Sequence, residues 1–239
     1  MIGLAIDTST NVMGVALADG QKVIAELITN EKKNHSVRLM PAIEHLLQEV
    51  DLTVKDVNTI IVSKGPGSYT GVRIGVTVAK TLAWTLNIPI VGVSSLEMLA
   101  LNGRYFDGYV SPLIDARRGQ IYTSLHQFKE GNPETVEKEC IIQSETWGKK
   151  LKSLEKPTLF LGNDVGKHKE QLQGALNENA VFGKLAEQNP RPGELAVLGM
   201  LRKPEENVHL FTPDYVQMAE AEKKWLDARK DGNESNERD

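Results

Sequence analysis

The first residues whose types could do chemistry are Asp7, Thr8, Ser9 and Thr10, which end the first predicted strand. A carboxylate in this place can order the water shell of a metal ion, and the hydroxyls and amides of the turn can bind phosphate. The same residues suit an ordinary hairpin turn, in which aspartate and threonine side chains bond their own backbone. Taken alone, the segment leaves both a phosphate loop and a plain turn open.

A second candidate is the glycine-rich stretch 64–73, Lys-Gly-Pro-Gly-Ser-Tyr-Thr-Gly-Val-Arg, between a predicted strand and a predicted helix. Glycine permits unusual backbone angles and close approach, and a helix start carries partial positive charge that suits an anion. The spacing matches neither a Walker loop nor a dinucleotide fingerprint, and Ser68 lacks the flanking glycines of a hydrolase elbow. A vestigial phosphate loop that joins Gly65 and Gly67 to Asp7 and a tight strand-to-helix turn both remain open.

The helix after this stretch, predicted over about 70–87, is apolar on nearly all sides. Gly71, Gly75, Ala79 and Ala83 form a smooth ridge at four-residue intervals, and most of the remaining surface is also apolar. Such a helix must be buried on more than one side, either fully inside the chain or partly against another chain. On the second interpretation, Arg at Gly75 or Ala79 is expected to abolish partner binding and to leave the monomer folded.

The predicted elements place both segments on one lobe of a two-lobed α/β fold. In chain order they are strands over 2–7, 12–18 and about 22–28, a helix capped by Ser36, a strand over 59–62, the helix described above, a strand over 89–93 and a helix over about 95–102. This β-β-β-α-β-α-β-α order is that of one lobe of the actin/Hsp70/sugar-kinase-like (ASKHA) fold.

The second lobe is predicted to be a degenerate echo of the first. Its predicted elements are strands over 109–114, 120–128, 136–142 and 156–161 and a helix over about 144–153. We therefore divide the chain into a first lobe, 1–105, and a second lobe, 106–192. A return helix within about 193–220 is expected to pack back on the first lobe, and the charged residues 227–239 are expected to be a disordered tail.

Composition excludes several classes of function. The net charge is −4 and the basic residues occur only as isolated pairs such as Arg117-Arg118, so tight RNA binding by this chain alone is not expected. Cys140 is the single cysteine, and the five histidines show no metal-ligand spacing, so neither a disulfide nor a metal site is predicted. No apolar run is long enough to span a membrane and no signal peptide is recognised, so we expect a cytoplasmic protein.

Four ordered motifs together resemble the bacterial TsaB family over about residues 1–220. They are Ile-Asp-Thr-Ser-Thr at 6–10, the glycine-rich stretch extended to 64–75, Asp-Ala-Arg-Arg-Gly-Gln-Ile-Tyr at 115–122 and Pro-Asp-Tyr-Val at 213–216. The resemblance implies an actin-like fold and membership of the complex that makes threonylcarbamoyladenosine at position 37 of ANN-decoding tRNAs. It also implies pairing with a homologous catalytic TsaD-type subunit, with a TsaE-type ATPase subunit joining the assembly.

The resemblance further implies that pairing runs through the first two helices. The expected interface residues are Leu39, Met40, Ile43, Leu46, Leu47, Val72, Ile74, Gly75, Val78, Ala79 and Leu82. Without its partner, the same surface is expected to form a homodimer, because exposed apolar patches tend to be covered. Contact with tRNA is expected to be indirect, through the complex.

Departures from the catalytic relative favour a non-catalytic role. That subunit carries two metal-binding histidines spaced four apart, where this sequence has Ser95 and Leu99, and leucine cannot ligate a metal. The glycine-rich adenosine loop is reduced to residues 162–166. No catalytic residue, metal or cofactor is therefore expected. The alternative is a free-standing nucleotide-dependent enzyme or glycoprotease-like hydrolase, suggested by Asp7, the glycine-rich stretch and Ser68.

Overall fold

Two five-stranded mixed sheets with flanking helices make up the described part of the chain. The computed structural model describes residues 1–31 and 34–215, so the predicted tail 227–239 lies outside the described residues. The strands are β1 Ile2–Asp7, β2 Val12–Ala18, β3 Val23–Asn30, β4 Val57–Ser63, β5 Ile90–Val93, β6 Tyr109–Asp115, β7 Gln120–Lys129, β8 Asn132–Gln143, β9 Thr158–Leu161 and β10 Ala180–Phe182. The α-helices are α1 His35–Gln48, α2 Tyr69–Leu86, α3 Ser95–Ala100, α4 Ser144–Lys152, α5 Val165–Leu176 and α6 Pro192–Met200.

The two sheets have the same internal order. The first runs β3-β2-β1-β4-β5, with β1 antiparallel to β2 and parallel to β4. The second runs β8-β7-β6-β9-β10 when counted from the corresponding edge, with β6 antiparallel to β7 and parallel to β9. This repeated topology confirms the two-lobed ASKHA fold predicted from the sequence. The second lobe is reduced in its edge strand β10, which has 3 residues, and not in its strand count.

Helix α3, which follows the first sheet, packs on the second sheet, and helix α6, which follows the second sheet, packs on the first. Helix α3 lies against β6 and β7, and Leu99 and Ala100 join a buried cluster with Val110. Helix α6 lies across β1 to β4, where a Cβ added to Gly199 would be 2.3 Å from Ile61. These two crossings bury apolar side chains of each half in the core of the other, so the lobes are held together by packing.

Several element boundaries differ from the sequence prediction. Asn34, and not Ser36, is the N-cap of α1, because its side chain accepts a hydrogen bond from the Ser36 amide (3.0 Å). The predicted return helix corresponds to α6, which is followed by a single 3-10 turn at Val208–Leu210, and residues 216–220 of the predicted range lie outside the described residues. Helix α5 and strand β10 were not predicted. No described helix is long and apolar enough to cross a membrane.

Candidate functional site

The turn after β1 is buried as far as Ser9. Asp7 is fully buried, and its Oδ1 accepts hydrogen bonds from the Ser9 amide (3.0 Å) and from the Ser63 hydroxyl. Burial raises the pKa of Asp7, against the lowering effect of these hydrogen bonds. The imidazole of His35 contacts the carbonyl oxygen of Thr10 (2.9 Å) and closes the turn from the side of α1.

The glycine-rich stretch lies directly on this turn. The amide of Ser68 donates to the carbonyl oxygen of Ser9 (2.7 Å). A Cβ added to Gly67 would lie 2.2 Å from that same oxygen, and one added to Gly71 would lie 2.2 Å from the carbonyl oxygen of Thr8. The structure therefore brings together the two segments that the sequence singled out, and glycine is needed at 67 and 71 because backbone approaches backbone.

Two hydroxyls that could serve a phosphate, those of Thr8 and Ser68, are engaged within the protein, and the Ser9 hydroxyl is buried. The hydroxyl of Thr8 donates to the carbonyl oxygen of Gly71 (2.7 Å). The hydroxyl of Ser68 accepts from the Gly71 amide (3.3 Å) and caps α2, so Ser68 has the geometry of a capping residue. A phosphate could reach these donors only if the glycine-rich stretch lifted off the turn.

Residues 211–214 bind the glycine-rich stretch and α2 on the side away from the turn after β1. Asp214 donates its amide to the carbonyl oxygen of Lys64 (2.7 Å) and pairs its carboxylate with the Lys64 ammonium (2.9 Å). Phe211 is buried in the core of the first lobe, and its carbonyl oxygen accepts from Lys80 (2.7 Å). Sequence reasoning recognised residues 213–216 only as a motif, because nothing in their pattern indicates where they dock.

Ser95 and Leu99, which stand where metal-binding histidines would be expected in the catalytic relative, are buried in α3. Ser95 and Leu99 are each 1% exposed, and Leu99 packs against the second lobe. Within residues 1–31 and 34–215, no group of three or more His, Cys, Asp or Glu side chains could hold a metal ion.

A pocket of about 620 Å³ lies between α3, the second sheet and the end of the described chain. Its lining includes Glu97, Ser124, His126, Lys138, Glu139 and Asp214. Ser124 and His126 are hydrogen-bonded (2.8 Å), which is a pairing found in nucleophilic catalysis. However, Ser124 is 0% exposed, and the other imidazole nitrogen of His126 is buried without a partner among the described residues. Burial lowers the pKa of His126. The pair therefore lacks both access and an orienting acid.

Many of the expected interface residues lie inside the chain. Leu39, Ile43, Leu46, Leu47, Val72, Gly75 and Ala79 are buried, so they provide no exposed surface in the folded monomer. The start of the small-residue ridge of α2 packs on the turn after β1, where a Cβ added to Gly75 would lie 2.5 Å from the Thr8 hydroxyl. The expectation that Arg at Gly75 or Ala79 leaves the monomer folded is therefore wrong, because either substitution places a charge in the core.

A narrower apolar surface remains on α1 and α2. Met40 is 46% exposed, and Ile74, Val78 and Leu82 are half-buried. Sequence reasoning missed Val37, which is 67% exposed, and Trp84, which is 65% exposed. Trp84 stands outside the four-residue ridge that drew attention, and a helical wheel centred on that ridge would have placed it on the opposite, accessible face.

Known proteins of one tRNA modification pathway resemble this chain in sequence. Residues 22–225 match the family model described as TsaD: tRNA N6-adenosine threonylcarbamoyltransferase. The chain is 53% identical to the tRNA threonylcarbamoyladenosine biosynthesis protein TsaB of Bacillus subtilis (strain 168), over 95% of this chain and 99% of that protein. It is 33% identical to TsaB of Escherichia coli (strain K12), over 69% of this chain and 74% of that protein.

A solved structure shows the same likeness. YeaZ from Pseudomonas aeruginosa superposes with a TM-score of 0.74 at 25% identity, over 90% of this chain and 99% of that one. A second Pseudomonas aeruginosa structure, described as similar to peptidase YeaZ, superposes with a TM-score of 0.77 over the same shares of the two chains. By sequence identity over nearly its whole length, the chain belongs to the TsaB family of tRNA threonylcarbamoyladenosine biosynthesis proteins.

Proposed function

We propose that the chain is a non-catalytic subunit that binds a homologous catalytic TsaD-type threonylcarbamoyltransferase subunit. In this role it is required for threonylcarbamoyladenosine formation at position 37 of ANN-decoding tRNAs, in the cytoplasm. The observation that carries the proposal is the occupied turn after β1. The Thr8 hydroxyl and the Ser9 carbonyl oxygen of this turn bond the glycine-rich stretch, so the fold is kept without an accessible phosphate site.

The exposed apolar side chains on α1 and α2 supply the proposed interface. Trp84 and Met40 are large, exposed and apolar, and tryptophan is among the residues that dominate the affinity of protein interfaces. Of the interface residues expected from the sequence, Met40, Ile74, Val78 and Leu82 remain accessible. The proposed interface consists of these four residues together with Val37 and Trp84. A TsaE-type ATPase subunit would join the pair, and the same surface would support a homodimer of the isolated chain.

Two charge substitutions test the interface. Trp84→Glu and Met40→Glu should each weaken binding to the catalytic subunit about 30-fold or more, because they place a charge at a desolvated contact. Leu185→Glu is the matched control, since Leu185 is 92% exposed in the second lobe. Isothermal titration gives the affinity, and thermal unfolding verifies that all three variants fold. Parental affinity in both helix variants would rule out this surface as the interface.

Reconstitution tests the role itself. We expect tRNA modification to fall to background when this protein is omitted from an otherwise complete mixture, and to return when it is added. The free-standing enzyme is the competing function, and the buried Ser124–His126 pair offers it little support. Turnover by this chain alone, detected as ATP-dependent transfer or peptide cleavage, would favour that alternative.

A further inference from the structure

The edge strand β8 is irregular where it borders the pocket of about 620 Å³ between α3 and the second sheet. Between the pairs Thr123–Cys140 and Leu125–Glu137, β8 carries one residue more than β7, and a second extra residue follows before the next pair. Such an extra residue is a β-bulge, which bends the strand and re-aims its side chains. Because bulges are frequent beside functional sites, this pocket is the strongest candidate for a ligand site.

The bulge brings two adjacent side chains of opposite charge to the same pocket. In a regular strand, successive side chains point to opposite faces of the sheet, yet Lys138 and Glu139 both line the pocket. Both are accessible to solvent. The acidic neighbour Glu137 pairs instead with Lys150 (2.9 Å), and no ion pair of Lys138 is formed within the described part of the chain. The pocket therefore presents an available ammonium group beside a carboxylate.

The carboxylate of Glu139 lies in an acidic environment that spans the two lobes. Burial raises its pKa, and the nearby carboxylates of Asp214 and Glu97 raise it further, against a hydrogen bond from Ser94 at the N-cap of α3. Glu97 and Asp214 are each paired with a basic side chain, whereas Glu139 has no such ion pair among the residues that the structure describes. A ligand with a positive charge would be stabilised at Glu139.

The floor of the pocket contains a polar group that lacks a partner. His126 lines the pocket and is 4% exposed, and its Nε2 bonds the hydroxyl of Ser124 (2.8 Å). Its Nδ1 is buried without a hydrogen-bond partner among the described residues. Buried polar groups in folded proteins are almost always hydrogen-bonded, to protein, water or ligand. A polar group bound in the pocket would satisfy this nitrogen.

We propose that this pocket binds a small zwitterion of the α-amino-acid class, with the ammonium group at Glu139 and the carboxylate at Lys138. Charge-assisted hydrogen bonds at both ends would fix the orientation of the ligand. The volume lies within the range of small-molecule sites and leaves room for the amino-acid side chain and bridging water. The inference does not depend on pairing with a catalytic subunit, so it is tested with the isolated chain.

Ligand-observed NMR of the full chain with each of the common amino acids at millimolar concentration tests the proposal. We expect at least one amino acid to give a saturation-transfer signal, and isothermal titration then gives its affinity. Ethanolamine and acetate, which carry one charge each, should bind at least about 10-fold more weakly, because each lacks one charge-assisted contact. Absence of binding by every amino acid overturns the proposal, as does ethanolamine or acetate binding as tightly as the best amino acid.

Two variants locate the site. Glu139→Gln and Lys138→Gln should each weaken the affinity for that amino acid about 10-fold or more. Glu137→Gln is the matched control, because it removes a charge from the same strand at a residue outside the pocket lining, and it should keep the parental affinity. Thermal unfolding verifies that the variants fold, and the comparison of ligands on the parent decides the question if one does not. Parental affinity in either pocket variant, or an equal loss in the control, overturns the assignment.

Discussion

The two lobes differ most where they are topologically equivalent, in the turn after the first strand. Asp7 ends β1 and Asp115 ends β6, and both strands are flanked by an antiparallel hairpin partner and a parallel neighbour. Asp7 is fully buried beneath the glycine-rich stretch, and burial raises its pKa. Asp115 is partly exposed, and although desolvation acts to raise its pKa, hydrogen bonds from Lys167 and His168 lower it.

The length of one connection accounts for the difference. In the first lobe, residues 64–68 connect β4 to α2 and are long enough to fold over the turn. In the second lobe, β9 and α5 are separated by residues 162–164 alone, so the corresponding cover is absent from the described structure. The same topology therefore yields one turn that is covered by the glycine-rich stretch and one that lacks this cover among the described residues.

The largest expected effect on stability comes from disturbing the contact between the glycine-rich stretch and the turn after β1. Gly67→Ala should lower the free energy of unfolding by about 3 kcal/mol, because its Cβ would lie 2.2 Å from a backbone oxygen that cannot move aside cheaply. Gly174→Ala is the control, since nothing lies within 4 Å of a Cβ at this exposed position of α5. That change should stabilise the protein by about 0.5–1 kcal/mol. Urea unfolding measures the stability of both variants. A Gly67→Ala protein as stable as the parent would show that the glycine-rich stretch does not pack against the turn after β1.

The second lobe's aspartate should stabilise the protein at neutral pH. Because the folded pKa of Asp115 lies below its ordinary value of 3.8, the ionised group contributes stability above pH 3.8 and loses it as pH falls through the folded pKa. Asp115→Asn should therefore cost about 2 kcal/mol at pH 7 and progressively less below pH 4. Urea unfolding across pH 3–7 tests this, and a cost that is equal at every pH would mean that the charge of Asp115 is irrelevant.

The first lobe's aspartate should show the opposite sign. With its pKa raised above 3.8, Asp7 holds its proton longer when folded, so stability falls as pH rises from 3.8 through the raised pKa and stays lower above it. Asp7→Asn keeps an acceptor for Ser9 and Ser63 and removes the buried charge, so it should gain about 1 kcal/mol at pH 7. The gain should vanish near pH 3. A loss of stability at pH 7 that matches that of Asp115→Asn would erase the contrast between the two turns.

Most of the fold follows from patterns within single elements. The strands of the first lobe are short and apolar with turn residues between them, and both sheets of the ASKHA fold were predicted. Helix α5 was missed because it buries little beyond Val165, His168, Leu172 and Leu176 in a largely polar sequence. Strand β10 was missed because it has 3 residues and depends on its neighbour β9.

The candidate site depends on contacts that no local pattern contains. Glycine at 67 and 71 indicates that something approaches closely, but the sequence does not say whether that is a ligand or the chain's own backbone. The structure shows the oxygens of Ser9 and Thr8 there. The same limit applies to α2, whose apolar ridge predicts burial without identifying the covering surface. Gly75 and Ala79 were assigned to a partner, although both are buried within the first lobe.

The smallest expected effect concerns the backbone of the turn between β6 and β7. Arg117→Gly should change the free energy of unfolding by less than about 0.5 kcal/mol, because relief of the positive φ offsets the greater freedom of glycine in the unfolded chain. Glycine also keeps the amide that donates to Asp115 and the carbonyl that accepts from Gln120. Arg117→Val should instead cost about 1–2 kcal/mol, since a β-branched residue fits poorly at φ +67°. Urea midpoints in one buffer compare the two. If valine were tolerated as well as glycine, Arg117 would not be held in the left-handed conformation.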